Sequence, residues 1–213
     1  MIVEFFGIPG GGKSTLARTY AERYPDSTLL VSLDMRKKFP EVLYGTLFAL
    51  RHPVVFFWLM IFVMRYHMEG LFLYSFHMVV RASAKHQKAS LTEGARFVFV
   101  DEGLIHVLCT IPASPLGKEG LKKWIERFAQ VNLFLSVEEG DFHRFHNTHA
   151  NLHPRVKRGD LELKKWELAV QENTRNVVSY LNNHGFLVWG VPQKGSMELD
   201  KKIALMHVYL DNL

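Results

Sequence analysis

Short apolar runs alternate with amphipathic stretches along most of this chain. Ile2 to Phe6, rich in Ile, Val and Phe and bounded by Gly7, predicts a buried strand. Ser14 to Arg23 predicts a helix with Leu16, Ala17, Tyr20 and Ala21 on one face, stopped by Pro25 and Asp26. Thr28 to Leu33 reads as a second strand closed by Asp34, and Arg96 to Val100 as a third ending at Asp101. A loop with Pro112, Pro115 and Gly117 leads into a helix over Lys118 to Gln130 and a fourth strand over Val131 to Val137. Asp160 to His184 has the clearest helical period: Trp166, Val170, Asn173, Val177 and Leu181 step by three or four, with Gly185 as the residue after the cap. Phe186 to Val191 predicts a fifth strand and Met197 to Leu210 a last helix. Strands alternating with helices imply crossover units, hence an α/β fold with a parallel sheet and helices on both faces.

Residues 35–94 break the alternation. Pro40 and Pro53 punctuate a region of helical lengths, which reads as a helical insertion in one domain spanning residues 1–213. Within it, Val54 to Met64 is eleven unbroken apolar residues, and Leu71 to Val80 is almost as apolar. A bilayer span takes about 20 such residues. Joining the two runs would put Arg65, His67 and Glu69 at mid-membrane, so no transmembrane span is expected. Phe56, Phe57, Trp58, Phe62, Phe72, Tyr74 and Phe76 then have three readings: plain core, an acceptor pocket, or a dimer or membrane-surface contact through residues 54–80 flanked by Arg51, Arg65 and Arg81.

Composition narrows the class. With 213 residues and 48% hydrophobic content the chain can bury a full core without staples, and it is too apolar to be disordered. Its one cysteine, Cys109, excludes a disulfide scaffold and suits a reducing, cytoplasmic compartment; the start MIVEFFGIPG has no signal-peptide pattern. A formal charge of +5 suits an anionic partner without choosing among substrate, nucleic acid and membrane.

The strongest chemistry lies between the first strand and the first helix. Gly7-Ile-Pro-Gly-Gly-Gly-Lys-Ser14 fits G-x-x-x-x-G-K-[ST] without a gap. Such a loop strips away side chains so that backbone N–H groups can cradle phosphates; Gly7, Pro9, Gly10, Gly11, Gly12, Lys13, Ser14 and Thr15 are the candidate nucleotide-binding residues. Lys13 would sit over the β- and γ-phosphates, and the Ser14 hydroxyl would meet Mg²⁺. A chance match in a chain of this length has a probability on the order of 1%.

Ligands of open parallel sheets bind beyond the carboxyl ends of the strands, where two acidic positions fall. Asp101-Glu102 closes FVFVDE: Asp101 is a candidate Mg²⁺ ligand, and either acid is a candidate base. Asp34, after the second strand, is a further candidate for base or acceptor ligand, with Arg36 gripping an anion; otherwise Asp34 is a helix cap. Residues 141–160 form a polar connection long enough for a lid. Six Lys/Arg crowd residues 141–165, among them Arg144, Arg155 and Arg158, which are placed to neutralise a transferred phosphoryl group. His143, His146, His149 and His153 have a helical spacing, but Asn147, Thr148, Asn151 and Pro154 make a poor helix, so they read as solvated or phosphate-contacting groups instead of a zinc site.

Together GIPGGGKST, VFVDEG and PRVKRGDLELKKWE resemble the P-loop kinases of the nucleoside and nucleotide kinase group, the last segment being similar to the arginine-rich lid and long helix of thymidylate kinases. The resemblance implies a P-loop NTPase three-layer sandwich whose five-stranded sheet has the order 2-3-1-4-5. It also implies Lys13 and Ser14 at phosphate and Mg²⁺, Asp101 near acceptor or metal, Arg155 and Arg158 in the lid, Arg144 in the preceding helix, and Val191 and Pro192 near the adenine. Glu102 stands where the family has arginine, and Asp34-Met-Arg36 is one residue short of the Asp-x-x-Arg of small-metabolite and polynucleotide kinases. The expected function is an ATP- and Mg²⁺-dependent phosphotransferase acting on a small molecule: a nucleoside, a nucleotide or a related metabolite. An ATP-hydrolysing switch that binds a partner is the alternative, and a polynucleotide 5′-kinase the weaker one, nucleic acid not being the expected partner.

Overall fold

The computed structural model describes residues 1–33, 38–129, 131, 133–137, 160–191 and 198–213. Its five strands are β1 (Ile2–Gly7), β2 (Thr28–Val31), β3 (Phe97–Asp101), β4 (Leu133–Val137) and β5 (Leu187–Gly190). They form one sheet in the order β2-β3-β1-β4-β5. Every pairing is parallel, with Glu4 opposite Val100 on one side and Phe134 on the other. The order and direction are those implied by the resemblance.

Eight helices are found among the described residues: α1 (Lys13–Arg23), α2 (Lys38–Arg51), α3 (Pro53–Tyr66), α4 (Phe72–Ser90), α5 (Leu104–Thr110), α6 (Lys118–Phe128), α7 (Asp160–Asn183) and α8 (Leu199–Asp211). The side-chain alternation of the strands divides them into two layers. Val3 and Phe5 of β1, with Phe97, Phe99, Leu133 and Leu135, face α1 and α8 through Leu16, Ala17, Tyr20, Ile203, Met206 and Leu210. Phe6 and Phe134 face the other way, into a core shared with α2 to α7. Val31, Val98 and Val100 pack on Ala89 of α4. The result is helices, sheet and helices in three layers.

Two features go beyond what the sequence pattern shows. The stretch from Gly103 to Ile111 holds a helix, α5, that carries no amphipathic signal because all of its residues are buried. The apolar run of α3 is not buried all round: Leu59, Phe62 and Val63 lie in the core, whereas Val54, Phe57 and Met64 are exposed. Its inner face meets α6 through an aromatic cluster in which Phe62 packs edge-on against Trp124 (5.2 Å between ring centroids) and Phe128 (5.5 Å). The Arg127 guanidinium lies 4.0 Å over the Trp58 ring beside them. No single described helix is long and apolar enough to cross a membrane; α2 and α3 together pass by length and composition, but they are bent by 113°. The strand and helix ends otherwise fall within a few residues of those predicted, and the Trp166, Val170, Asn173, Val177 and Leu181 stripe of α7 is buried as its period demands.

Candidate active site at the carboxyl edge of the sheet

The edge is built around Gly7. Its φ is +115°, and a Cβ there would sit 2.1 Å from the carbonyl oxygen of Val137 on β4. Only glycine lets the two backbones meet, and the Ile8 N–H donates to that same carbonyl at 2.9 Å. Gly10 and Gly12 also have left-handed φ values, 77° and 79°, which turn the chain through Pro9 and Gly11 and into α1. The Leu16 N–H donates to the Gly12 carbonyl at 2.9 Å and opens the helix. Ser14 is half-buried and Thr15 exposed in the first turn.

Lys13 is buried, and its Nζ donates to the carbonyls of Gly7 (3.2 Å) and Ile8 (2.8 Å). Burial lowers its pKa, against the pull of the negative charges on Glu102 and Asp101. The amine is therefore folded onto the loop whose ligand it would grip, beside the acid pair that ends β3.

That pair is held by a residue the sequence did not single out. Lys85 of α4 is 2% exposed, and its Nζ donates to the Asp101 carboxylate at 2.7 Å and to the Asp101 main-chain carbonyl at 2.6 Å. Glu102 Oε2 lies 4.0 Å from the same Nζ, with the Glu102 side chain 46% exposed. Glu102 has φ +58°, the one left-handed non-glycine among the described residues. Its N–H donates to the Phe5 carbonyl at 3.2 Å, which ties the corner to β1. Burial raises the Glu102 carboxyl, but the charges of His106, Lys85, Lys13 and Arg81 outweigh it and hold the pKa at about 2. Glu102 is thus an ionised, accessible carboxylate in a positive surround.

Beneath the corner lies Glu4, buried in the middle of the central strand. One carboxylate oxygen accepts the N–H groups of Ile105 (2.7 Å) and His106 (3.1 Å) at the start of α5. A Cβ on Gly103 would lie 2.5 Å from the Glu4 carboxyl carbon, so glycine is needed for the chain to pass over it. Burial pushes the Glu4 pKa up from 4.5 to about 7, against those hydrogen bonds and the charge of Lys85. Cys109, also buried, is pushed up to about 12 by burial and is no nucleophile.

The structure therefore brings Gly7, Pro9, Gly10, Gly11, Gly12, Lys13, Ser14 and Thr15 to the edge where Asp101 and Glu102 stand. Val191, after β5, has its side chain in the core and its N–H on the Ser136 carbonyl at 2.8 Å. Asp34, Arg36, Arg144, Arg155, Arg158, Pro192 and the four histidines lie outside the described residues, as do the lid residues 141–159. Glu4 had a signal, an acid inside an otherwise apolar central strand; Lys85 had none, since a lysine in a helix is normally solvated.

The loop fits a polyphosphate: three left-handed glycines, open space where a Gly12 Cβ would be, and a lysine whose donors rest on loop carbonyls. No cluster of three or more His, Cys, Asp or Glu capable of holding a metal forms among the described residues. Ser14, in the first turn of α1, and the Asp101–Glu102 corner are the oxygen donors at this edge that could meet an ion carried on phosphate.

Sheet order, layers and loop together define a P-loop NTPase three-layer sandwich. Two solved structures with this fold are of deoxyadenosine kinase from M. mycoides. One, with products dCMP and a flexible dCDP bound, matches with a TM-score of 0.56 at 12% identity, each chain covered in full. The other, with dATP bound, has a TM-score of 0.55 at 14% identity over 99% of this chain and 100% of that one. The sequence matches no protein-family model and no curated protein.

Proposed function

We propose that this chain is a kinase that transfers a phosphoryl group from ATP, with Mg²⁺, to a small-molecule acceptor of the nucleoside or nucleotide class, within the cytoplasm. The observation that carries the reading is a left-handed glycine loop with Lys13 folded onto its carbonyls, at the same sheet edge as the accessible carboxylate of Glu102, whose charge acts on Lys13. The likeness in fold to kinases that hold deoxynucleotides supports the acceptor class.

Each residue then has a task. The loop amides and the α1 N-terminus would seat the phosphates, and Lys13 would leave the Gly7 and Ile8 carbonyls for their oxygens. Mg²⁺, held by Ser14 and the acid corner, would neutralise charge on the β- and γ-phosphates. Asp101 is held by Lys85, so Glu102 is the better candidate for the carboxylate that orients the acceptor hydroxyl and takes its proton as transfer proceeds. With its pKa at about 2 it is ionised throughout the neutral range, so its main contribution is orientation. Asp34 and Arg36 on the acceptor side, Arg144, Arg155 and Arg158 from a lid, and Val191 and Pro192 beside the base complete the proposed site.

The test is a transfer screen with labelled ATP over nucleosides, nucleotides, sugars and oligonucleotides. Labelled nucleotide product in the wild type, with Lys13→Ala at least about 100-fold slower, is the expected result. Phosphate release without any acceptor would instead identify a hydrolytic switch, transfer confined to oligonucleotide ends a polynucleotide kinase, and a fully active Lys13→Ala protein would overturn the reading.

A further inference from the structure

We infer that Lys85 is a positioning residue: from α4 it pins the left-handed Asp101–Glu102 corner and so couples the helical insertion to the carboxylate that meets the acceptor. A left-handed φ on a non-glycine residue costs energy and persists only where its surroundings over-determine it. At Glu102 two anchors do so. The Glu102 N–H is tied to Phe5 of β1, and the peptide preceding it is tied through the Asp101 carbonyl to Lys85 Nζ at 2.6 Å.

The same ammonium donates to the Asp101 carboxylate at 2.7 Å, which holds that acid on α4. Glu102 Oε2 lies 4.0 Å from the same Nζ. A buried lysine with a four-carbon stem could have been replaced by an apolar side chain at less desolvation cost, and a buried ion pair is by itself weak support for stability. The main-chain bond is what distinguishes this lysine, because it acts on the backbone of the corner instead of on a side chain alone. One turn earlier on α4, the charge of Arg81 also acts on Glu102.

This inference rests on the proposed transfer reaction for its kinetic arm only. The first measurement is a thermal double-mutant cycle. Lys85→Met is expected to lower Tm by about 5–10 °C in the wild-type background. In the Glu102→Gly background, where glycine accepts the left-handed corner without strain, the same change is expected to cost about half as much. Equal losses in both backgrounds would overturn the proposal and leave Lys85 an ordinary buried ion-pair partner. If Lys85→Met alone fails to fold, folding of the double variant supports the proposal, and failure of both overturns it.

The second measurement is steady-state transfer. Lys85→Met is expected to lower kcat about 100-fold, as misplacement of a reacting group does, with the KM for ATP within about twofold. A kcat within about threefold of wild type would overturn the proposal. A wild-type protein that transfers nothing to any acceptor would sink the proposed function, while the thermal cycle would still decide the role of Lys85.

Discussion

At the scale of the residue, Glu4 and Gly7 show how much of the site depends on atoms below it. A central strand of a parallel sheet is covered on both faces and should be apolar throughout. Glu4 is tolerated there because two N–H groups of the α5 start converge on one of its oxygens. Its pKa in the folded protein, about 7, lies above the ordinary 4.5, so the folded state keeps a proton that the unfolded chain has lost. Stability attributable to Glu4 therefore falls as pH rises from about 4.5 to 7, by about 3 kcal/mol at most. Glu4→Gln removes the titration and keeps an accepting oxygen; its Tm relative to wild type should rise between pH 5 and pH 7.5, and parallel curves would refute this origin. Glu102 has the opposite sign, its contribution being full above pH 4.5 and lost as pH falls toward about 2. Gly7→Ala drives a methyl group into the Val137 carbonyl and should abolish ATP binding in a calorimetric titration. Gly12→Ala meets no protein atom, so its cost to folding is only the left-handed penalty, about 1–2 kcal/mol, read as a small fall in Tm.

At the scale of the element, α3 has two faces with different consequences. Trp124 of α6 sits among Trp58, Phe62, Tyr66 and Phe128, with Phe62 and Phe128 fully buried. Trp124→Ala should cost about 3–5 kcal/mol through lost burial and an unfilled cavity, read as a lower urea midpoint. Phe57, on the same helix as Phe62 but exposed, should tolerate alanine within about 0.5 kcal/mol. If both substitutions cost the same, the assignment of inner and outer faces is wrong. The distinction matters for function because α3 packs on α4, the helix whose Lys85 holds the acid corner.

At the scale of the whole molecule, the site lies at the seam between both helical layers, with the loop leading into α1 on one face and α4 and α5 on the other. A ligand bound at that seam should stabilise the folded state as a unit. ATP at about 100 times its Kd should add about 2.7 kcal/mol, a rise in Tm of several degrees for a chain of this size. Lys13→Ala should abolish that rise while leaving the unliganded Tm near or above wild type, since a buried amine is removed with it.

Much of this molecule could be read from one sequence. The strand-loop-helix around GIPGGGKST was legible because phosphate binding demands small residues at fixed spacing, and β1, β3 and β4 were legible because a strand covered on both faces must be largely apolar. The acid pair was legible from its place at a strand end. The sequence pattern alone therefore determined the alternation, the loop, and the parallel direction that goes with crossover helices. Tertiary structure alone decided the rest. Lys85 stands sixteen residues before Asp101 with no local signature, and only the packing of α4 on β3 brings its amine to that carboxylate and carbonyl. The burial of Glu4 against α5, the left-handed Glu102 corner, and the division of an unbroken apolar run into inner and outer faces follow from the same cause. Charge pairing and burial are set by which surfaces meet in space, and a periodicity records only which residues share a face.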